Sequence, residues 1–296
     1  LNALVGEHLA IVSPRPQTTR NRILGIVTAP GTQICLVDTP GVHRAKGTLN
    51  QAMVRTALSA VGEVDLVLYL AEAGWPSGES DPAKIDPVGP FHRELLADVE
   101  RSGKPVILVL TKIDLIPKPL LLPLMQAWGK AFPFKDIYPL SAVTGENVER
   151  FVDVVRTALP EGEPLFPPDT VTDQAERALC AEFIREQIFL QTRDEIPYGA
   201  AVTIEEFDES SRPQDEQTKP GAGLVRIAAS IMVSRESHKG IVIGHRGERL
   251  KEIGTAARKS IEALLGCKVW LDLHVRVVED WTEKPKVLSE LGFQLK

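Results

Sequence analysis

The chain has 296 residues, 43% hydrophobic and 25% charged, the balance of an ordinary globular protein with length for about two domains. No apolar run reaches the ~18 to 20 residues that span a bilayer, and no charged start leads into an apolar stretch, which argues against a transmembrane segment and a secretory leader. The net charge of -6 is unevenly spread: residues 223–296 hold 13 Lys/Arg against 9 Asp/Glu, and this basic end hints at a polyanionic partner, although a solvated face explains such a charge equally well.

Cys35, Cys180 and Cys267 are far apart and in no metal-like spacing, so they read as small buried thiols in a reduced, cytoplasmic chain. Residues 1–7 (LNALVGE) place Leu1, Leu4 and Val5 at helical spacing before a Gly, so the sequence opens in or near the end of a helix. A polar loop, PRPQTTRNRI, then runs into a β-like stretch over 23–28. Thr18 and Thr19 in that loop are candidate hydroxyl ligands for a metal, although a loop threonine needs no such role.

Ile34, Cys35, Leu36 and Val37 predict a buried strand that Asp38-Thr39-Pro40-Gly41 ends at the carboxyl edge of a sheet, where α/β folds gather ligands. Asp38 there can hold Mg²⁺ through water while the Gly41 N–H faces a terminal phosphate; DTPG alone is more often a plain exit from a strand. A polar, flexible stretch over 42–47, a helix over 48–61 and a strand over 65–70 follow. Residues 72–90 are acidic, aperiodic and rich in Pro and Gly, the composition of a surface insertion. The pattern next predicts a helix over 91–101, a central parallel strand over 105–110, a helix over 120–132, a short strand over 136–140 and a helix over 148–159. Strands alternating with helices imply a doubly wound α/β sheet with right-handed crossovers.

Residues 161–173, Pro-rich and acidic, mark a linker between a domain at 1–160 and a second at 174–296. Thr172 or Asp173 can cap a helix running to about residue 190, with Ala178, Phe183, Ile184 and Ile188 on its apolar face. Strands over 200–207 and 224–234 come next, then the glycine-flanked run GIVIGHRG, a helix over 248–265, a strand over 268–278 and a short closing helix, the order of a smaller α+β domain.

Three strand ends now carry related turns: DTPG, TKID (residues 111–114) and SAVTG (residues 141–145). Asp114 can accept from N1–H and N2–H₂ of guanine, a pair of donors that adenine lacks, while the stem of Lys112 covers the ring and the Ala142 N–H reaches O6. With PQTTR (residues 16–20), FPPDTVTD (166–173), IPYG (196–199) and IVIGHRG (241–247), the chain resembles the translation-factor-like GTPases and, within them, the Era-type GTPases that end in a type II KH domain. The resemblance covers nearly the whole length.

It implies a P-loop-type GTPase fold that binds GTP or GDP with Mg²⁺ and hydrolyses GTP. Thr19, with Thr18 as the alternative, would contact the metal together with Asp38. GTP would be held by Asp38, Thr39, Pro40, Gly41, Thr111, Lys112, Asp114, Ser141 and Ala142. Val42 lies where Ras-like enzymes carry a water-positioning Gln; an apolar side chain orients no water, so hydrolysis is expected to be slow and no residue is assigned as catalytic. Two departures stand out. Thr111 replaces the Asn that usually opens the guanine motif and ties the neighbouring loops, so weaker preorganisation is expected. The first strand and a GxxxxGKS phosphate loop, which the resemblance implies, would precede Leu1 and are missing from these residues. Losing three phosphate hydrogen bonds costs about 5 to 9 kcal/mol, around 10³- to 10⁶-fold in affinity, so residues 1–296 alone are expected to bind GTP poorly.

At the basic end, Gly244 and Gly247 of GHRG let backbone approach a sugar-phosphate chain just where a helix N-terminus begins, and His245 and Arg246 supply stacking or charge. This is the GxxG arrangement of a KH domain, with Ile243 on the groove floor; Ile243, Gly244, His245, Arg246, Gly247, Arg249 and Lys251 are the candidate RNA contacts. The resemblance implies a target, the 3′ end of 16S rRNA in the 30S subunit, a role in subunit assembly, and peripheral association with the cytoplasmic face of the inner membrane. The rival from another class is a non-catalytic RNA-binding scaffold with a degenerate GTPase domain.

Overall fold

The computed structural model describes residues 1–42, 47–74, 86, 88–193, 195–212 and 223–293. Its elements in chain order are α1 (Asn2–Val5), β1 (Ile23–Ala29), β2 (Thr32–Asp38), α2 (Thr48–Glu63), β3 (Val67–Glu72), α3 (Pro90–Arg101), β4 (Val106–Thr111), α4 (Lys118–Ala131), β5 (Asp136–Pro139) and α5 (Val148–Ala158), followed by α6 (Glu176–Gln191), β6 (Ala200–Ser211), β7 (Leu224–Val233), α7 (Glu236–Ile243), α8 (Glu248–Leu265), β8 (Lys268–Val277) and α9 (Pro285–Glu290). The chain divides into two compact units, one of Leu1–Glu7, Gly25–Val37 and Ala57–Val171, the other of His8–Leu24, Asp38–Thr56 and Thr172–Lys296.

In the first unit β4 is the axis. It pairs in parallel with β3, Val67 opposite Val106, and with β5, Ile107 opposite Asp136. A strand paired on both sides and covered on both faces must be apolar at every position, which is why VILVL reads as one continuous run. Side chains alternate between the two faces. Val106, Leu108 and Leu110 join Leu96 of α3 and Trp128 of α4, while Ile107 and Val109 join Phe151 and Val155 of α5. Fully burying each such side chain contributes about 1.5–3 kcal/mol. The layering carries the carboxyl ends of β4 and β5 to one edge, where TKID and SAVTG emerge. β1 and β2 pair as a separate two-stranded sheet.

The second unit has a three-stranded sheet in the order β6-β7-β8, with β6 antiparallel and β8 parallel to β7. The inner residues of β8 alternate with exposed ones, and α6 and α8 fill the covered face with Phe183, Ile184, Ile253, Ala257 and Ile261. A second core joins Leu49, Ala52 and Met53 of α2 to Trp281 and Leu288.

Two expectations for α6 need correction. Ala175, not Thr172 or Asp173, stands at its N-cap, and no side chain caps it. The Thr172 hydroxyl instead donates to the Leu24 carbonyl at 2.6 Å and accepts from the Gln174 N–H. Ala178 is exposed, and the buried set of α6 extends to Leu179, Cys180, Arg185, Glu186 and Gln187. Most of the insertion expected over 72–90 and residues 43–46 of the stretch over 42–47 lie outside the described residues. Among the described residues no helix is long and apolar enough to cross a membrane.

Candidate nucleotide site and RNA interface

The guanine-side residues lie in the first unit. Leu110 and Pro139 face each other across β4 and β5, and the Leu140 N–H donates to the Leu110 carbonyl at 2.8 Å, so the two loops leave adjacent strand ends. Lys112 turns the chain with a left-handed φ of 58°, and a single 3₁₀ turn, Ile113–Leu115, presents Asp114 to solvent. Among the described residues nothing bonds its carboxylate. Lys112 Nζ pairs with Glu72, an exposed contact of little energetic weight. Where an Asn was missed, the Thr111 hydroxyl donates to Ala71 of β3 at 3.2 Å, which ties two strand ends and leaves the SAVTG loop to other bonds.

That loop is braced internally. Ser141 is fully buried; its N–H donates to Glu146 O at 3.0 Å and its Oγ accepts from the Thr144 N–H at 3.2 Å. Asn147 Nδ2 donates to Pro139 O at 2.9 Å, and Lys118 meets Glu146 at 3.1 Å. Ala142 is exposed, and its N–H has no partner among the described residues. A free carboxylate and a free N–H at one edge fit the complementary edge of guanine.

The phosphate-side residues lie in the second unit. Thr19 Oγ1 donates to Asp38 Oδ2 at 3.1 Å, so the two metal-ligand candidates already meet. Asp38 is partly buried; burial raises its carboxyl above the usual carboxylate range, against the lowering effect of the Thr19 hydroxyl and the Thr39 N–H. A desolvated carboxylate beside a hydroxyl offers the oxygen ligands that a divalent cation takes. Pro40 is buried, Gly41 is exposed with open space where a Cβ would stand, and Val42 is partly buried. Thr18 engages the chain through its carbonyl, which accepts from Arg185.

At the RNA face α7 ends at Gly244 with φ 74°, and His245–Gly247 make one 3₁₀ turn in which Arg246 (φ 49°) and Gly247 (φ 82°) are left-handed before α8 begins. A Cβ on Gly244 would stand 2.7 Å from Arg249 Cβ and 3.0 Å from its N, so only glycine fits. His245, Arg246 and Lys251 are exposed and Ile243 is partly buried. Arg249 Nη1 donates to the Ile241 carbonyl at 3.0 Å, closing the last turn of α7.

Four side chains that sequence reasoning passed over hold the 8–24 and 48–53 stretches within the second unit. Buried Arg20 donates to Ala200 O and Tyr198 O at 2.7 Å and to Pro197 O at 3.2 Å. Arg185 of α6 reaches Thr18 O. Buried Glu186 accepts from the Val12 N–H at 2.7 Å and pairs with His8 at 2.9 Å. Glu283 accepts from the Thr48 N–H and hydroxyl at 3.0 and 2.8 Å. Their only signal in the sequence is a charge in a stretch that otherwise reads as a solvated loop or helix.

A family profile described as KH domain matches residues 195–282, and one described as 50S ribosome-binding GTPase matches residues 1–112. GTPase Era of Geobacter metallireducens is 47% identical over 293 residues, covering 99% of this chain and 92% of that protein, and GTPase Era of Trichlorobacter lovleyi is 44% identical over 295 residues with the same coverage. Among solved structures, Era in complex with MgGDPNP and nucleotides 1506–1542 of 16S ribosomal RNA superposes with a TM-score of 0.87 at 36% identity, covering 99% of this chain and 93% of that one. A variant of Aquifex aeolicus Era bound to GDP and AlF₄⁻ gives 0.83 at 37% identity, with the same coverage. With its P-loop-type GTPase fold followed by a KH fold, the chain belongs to the Era family of GTPases.

Proposed function

We propose that the protein, in its full length, binds and hydrolyses GTP as a switch and reads single-stranded RNA near the 3′ end of 16S rRNA, acting in assembly of the 30S subunit. The observation that carries this reading is that the exposed Asp114 carboxylate and the exposed Ala142 N–H, neither with a partner among the described residues, sit on loops that leave the adjacent ends of β4 and β5. The acid accepts from N1–H and N2–H₂ and the amide donates to O6; a base without that edge leaves the acid unsatisfied and is rejected by a large factor.

In this reading residues 1–160 form the nucleotide domain, 161–173 the linker and 174–296 the RNA domain. Thr111, Lys112, Asp114, Ser141 and Ala142 hold the base, Asp38, Thr39, Pro40 and Gly41 face the phosphates, and Thr19 with Asp38 would hold Mg²⁺. Bound Mg²⁺ supplies neutralisation of charge on the phosphate oxygens. Val42 leaves the attacking water to be placed by backbone, another residue or a partner, so turnover is slow. Gly244 and Gly247 admit the RNA backbone, with His245, Arg246, Arg249 and Lys251 beside it and Ile243 under the bases. The crystallised Era–RNA complex of a 36% identical relative supports this half. The protein would work in the cytoplasm, with peripheral contact to the inner membrane.

Calorimetric titration of the full-length protein with GTP and ATP tests the nucleotide half. Asp114→Asn should weaken GTP binding by about 100-fold or more and erase the preference over ATP; unchanged binding and preference would sink the assignment. For the RNA half, the double change His245→Asp with Arg246→Asp should abolish binding of a single-stranded 16S 3′-end oligonucleotide, and unchanged affinity would refute the GxxG assignment.

A further inference from the structure

Thr19, the residue read as a metal ligand, has its neighbours on both sides gripped by the fold that carries the GxxG turn. On one side the Thr18 carbonyl accepts from Arg185, itself buried in α6. On the other the Arg20 side chain is buried and spends three hydrogen bonds on the carbonyls of Pro197, Tyr198 and Ala200, with its guanidinium 5.6 Å from the centre of the Trp281 ring. The remaining carbonyl of that turn, on Gly199, accepts from Trp281 Nε1 at 2.9 Å and from Ser234 Oγ at 3.4 Å.

The turn is in direct contact with the RNA-facing helix. The Gly199 carbonyl meets Ser234 Oγ two residues before α7, a Cβ on Gly199 would stand 3.8 Å from His238 Nδ1 of α7, and His238 Nε2 lies 3.6 Å from Glu195 Oε1 just ahead of the turn, so the turn lies beside the start of α7. His238 is buried within α7, and α7 ends at Gly244, the first residue of the GxxG turn. Ala200 also opens β6 and faces Val233, the last residue of β7, one residue before Ser234. An unbroken chain of contacts therefore runs from Thr19 through Arg20 and the 197–200 turn to α7 and Gly244.

We propose that Arg20 is the positioning residue through which the nucleotide state at Thr19 reaches the RNA-binding groove. This rests on the reading of Thr19 as a ligand of the nucleotide-bound metal. The Arg20 guanidinium is buried and spent on the turn. It cannot leave the turn without giving up three hydrogen bonds made by a buried charge, so a shift of the backbone at residue 19 either carries the turn with it or is resisted by it. A rigid fork is required: a lysine keeps the charge but offers one nitrogen where three carbonyls in different directions need to be held.

The test is fluorescence anisotropy of a single-stranded 16S 3′-end oligonucleotide with the full-length protein, in Mg²⁺ with a non-hydrolysable GTP analogue and with GDP. Natural protein should show affinities differing by about tenfold or more between the two states, within the usual range of allosteric coupling. Arg20→Lys should bind both nucleotides within about threefold of the natural protein while the RNA ratio collapses toward one. Should Arg20→Lys fail to fold, Arg185→Lys, which loosens the grip on Thr18, should reduce the same ratio. Trp281→Phe keeps a ring under Arg20 and loses only the bond to Gly199, so it should lower the melting temperature and leave the ratio intact. A ratio retained in both arginine variants, or one lost equally in Trp281→Phe, would overturn the proposal. Absence of any nucleotide dependence in the natural protein would instead refute the switch reading on which it rests.

Discussion

Thr19 and Asp38, nineteen positions apart, are joined by one hydrogen bond: Thr19 Oγ1 donates to Asp38 Oδ2 at 3.1 Å. The bond holds the loop of PQTTR against the exit of β2 and brings together a hydroxyl and an acid that suit the same cation.

In the proposed Mg²⁺ site the protonation of Asp38 would govern metal binding. Burial raises its carboxyl, so it takes up a proton at a higher pH than an exposed aspartate. Cation binding requires the ionised form, and Mg²⁺-dependent GTP affinity should therefore fall as pH is lowered toward the raised value. Titrations of the full-length protein between neutral and mildly acidic pH read this directly. Thr19→Val removes the donor that favours the anion and should move the loss to higher pH, with affinity at neutral pH down by about 10- to 100-fold for a lost bond to a charged group. A pH profile unchanged by Thr19→Val would contradict the role given to this pair.

His8 and Glu186 supply a second pH dependence, of opposite sign. The hydrogen bond to Glu186 raises the His8 pKa above 6.5, against partial burial of the ring, which stacks on Phe183 at 4.8 Å. A histidine whose folded pKa is raised stabilises the fold fully below its unfolded value, and that contribution disappears as pH rises through the folded value. The attachment of the 8–12 stretch to α6 should loosen over that window. An NMR titration of His8 should give a pKa above 6.5 that drops in Glu186→Gln, and amide exchange at Val12, whose N–H also bonds Glu186, should accelerate in the variant. A His8 titration that ignores the substitution would exclude the pair.

Gly244→Ala places a Cβ within 2.7 Å of Arg249 Cβ at a left-handed φ of 74°. Strain of this kind costs about 1–3 kcal/mol, and relief requires α8 to shift away from the GxxG turn. The variant should melt lower and lose affinity for single-stranded RNA while its GTP affinity stays unchanged. Equal melting and equal RNA affinity would show that the close approach is not needed.

What the sequence makes legible follows from locality. The five apolar residues of β4 announce a strand buried on both faces, and β8 announces its own inner face by alternation, because both signals live within ten residues. The shared edge of TKID and SAVTG follows from strands alternating with helices. α6 is harder to read, because buried Arg185 and Glu186 bond a segment roughly 170 positions away and a search for one apolar stripe sees only their polarity. Arg20 is hidden for the same reason: its partners are backbone carbonyls about 180 positions on, and carbonyls leave no mark in a sequence. Thr172 shows the converse failure, a side chain of capping type that spends its hydroxyl on Leu24 instead.

In the proposed function a guanine-nucleotide state is read by an RNA-binding groove in the same chain. It is tested most directly by measuring the affinity of the full-length protein for a single-stranded 16S 3′-end oligonucleotide with a Mg²⁺-bound GTP analogue, with GDP and with no nucleotide. Binding should be tightest with the GTP analogue, by about tenfold or more over GDP. Equal affinity in all three states would contradict it.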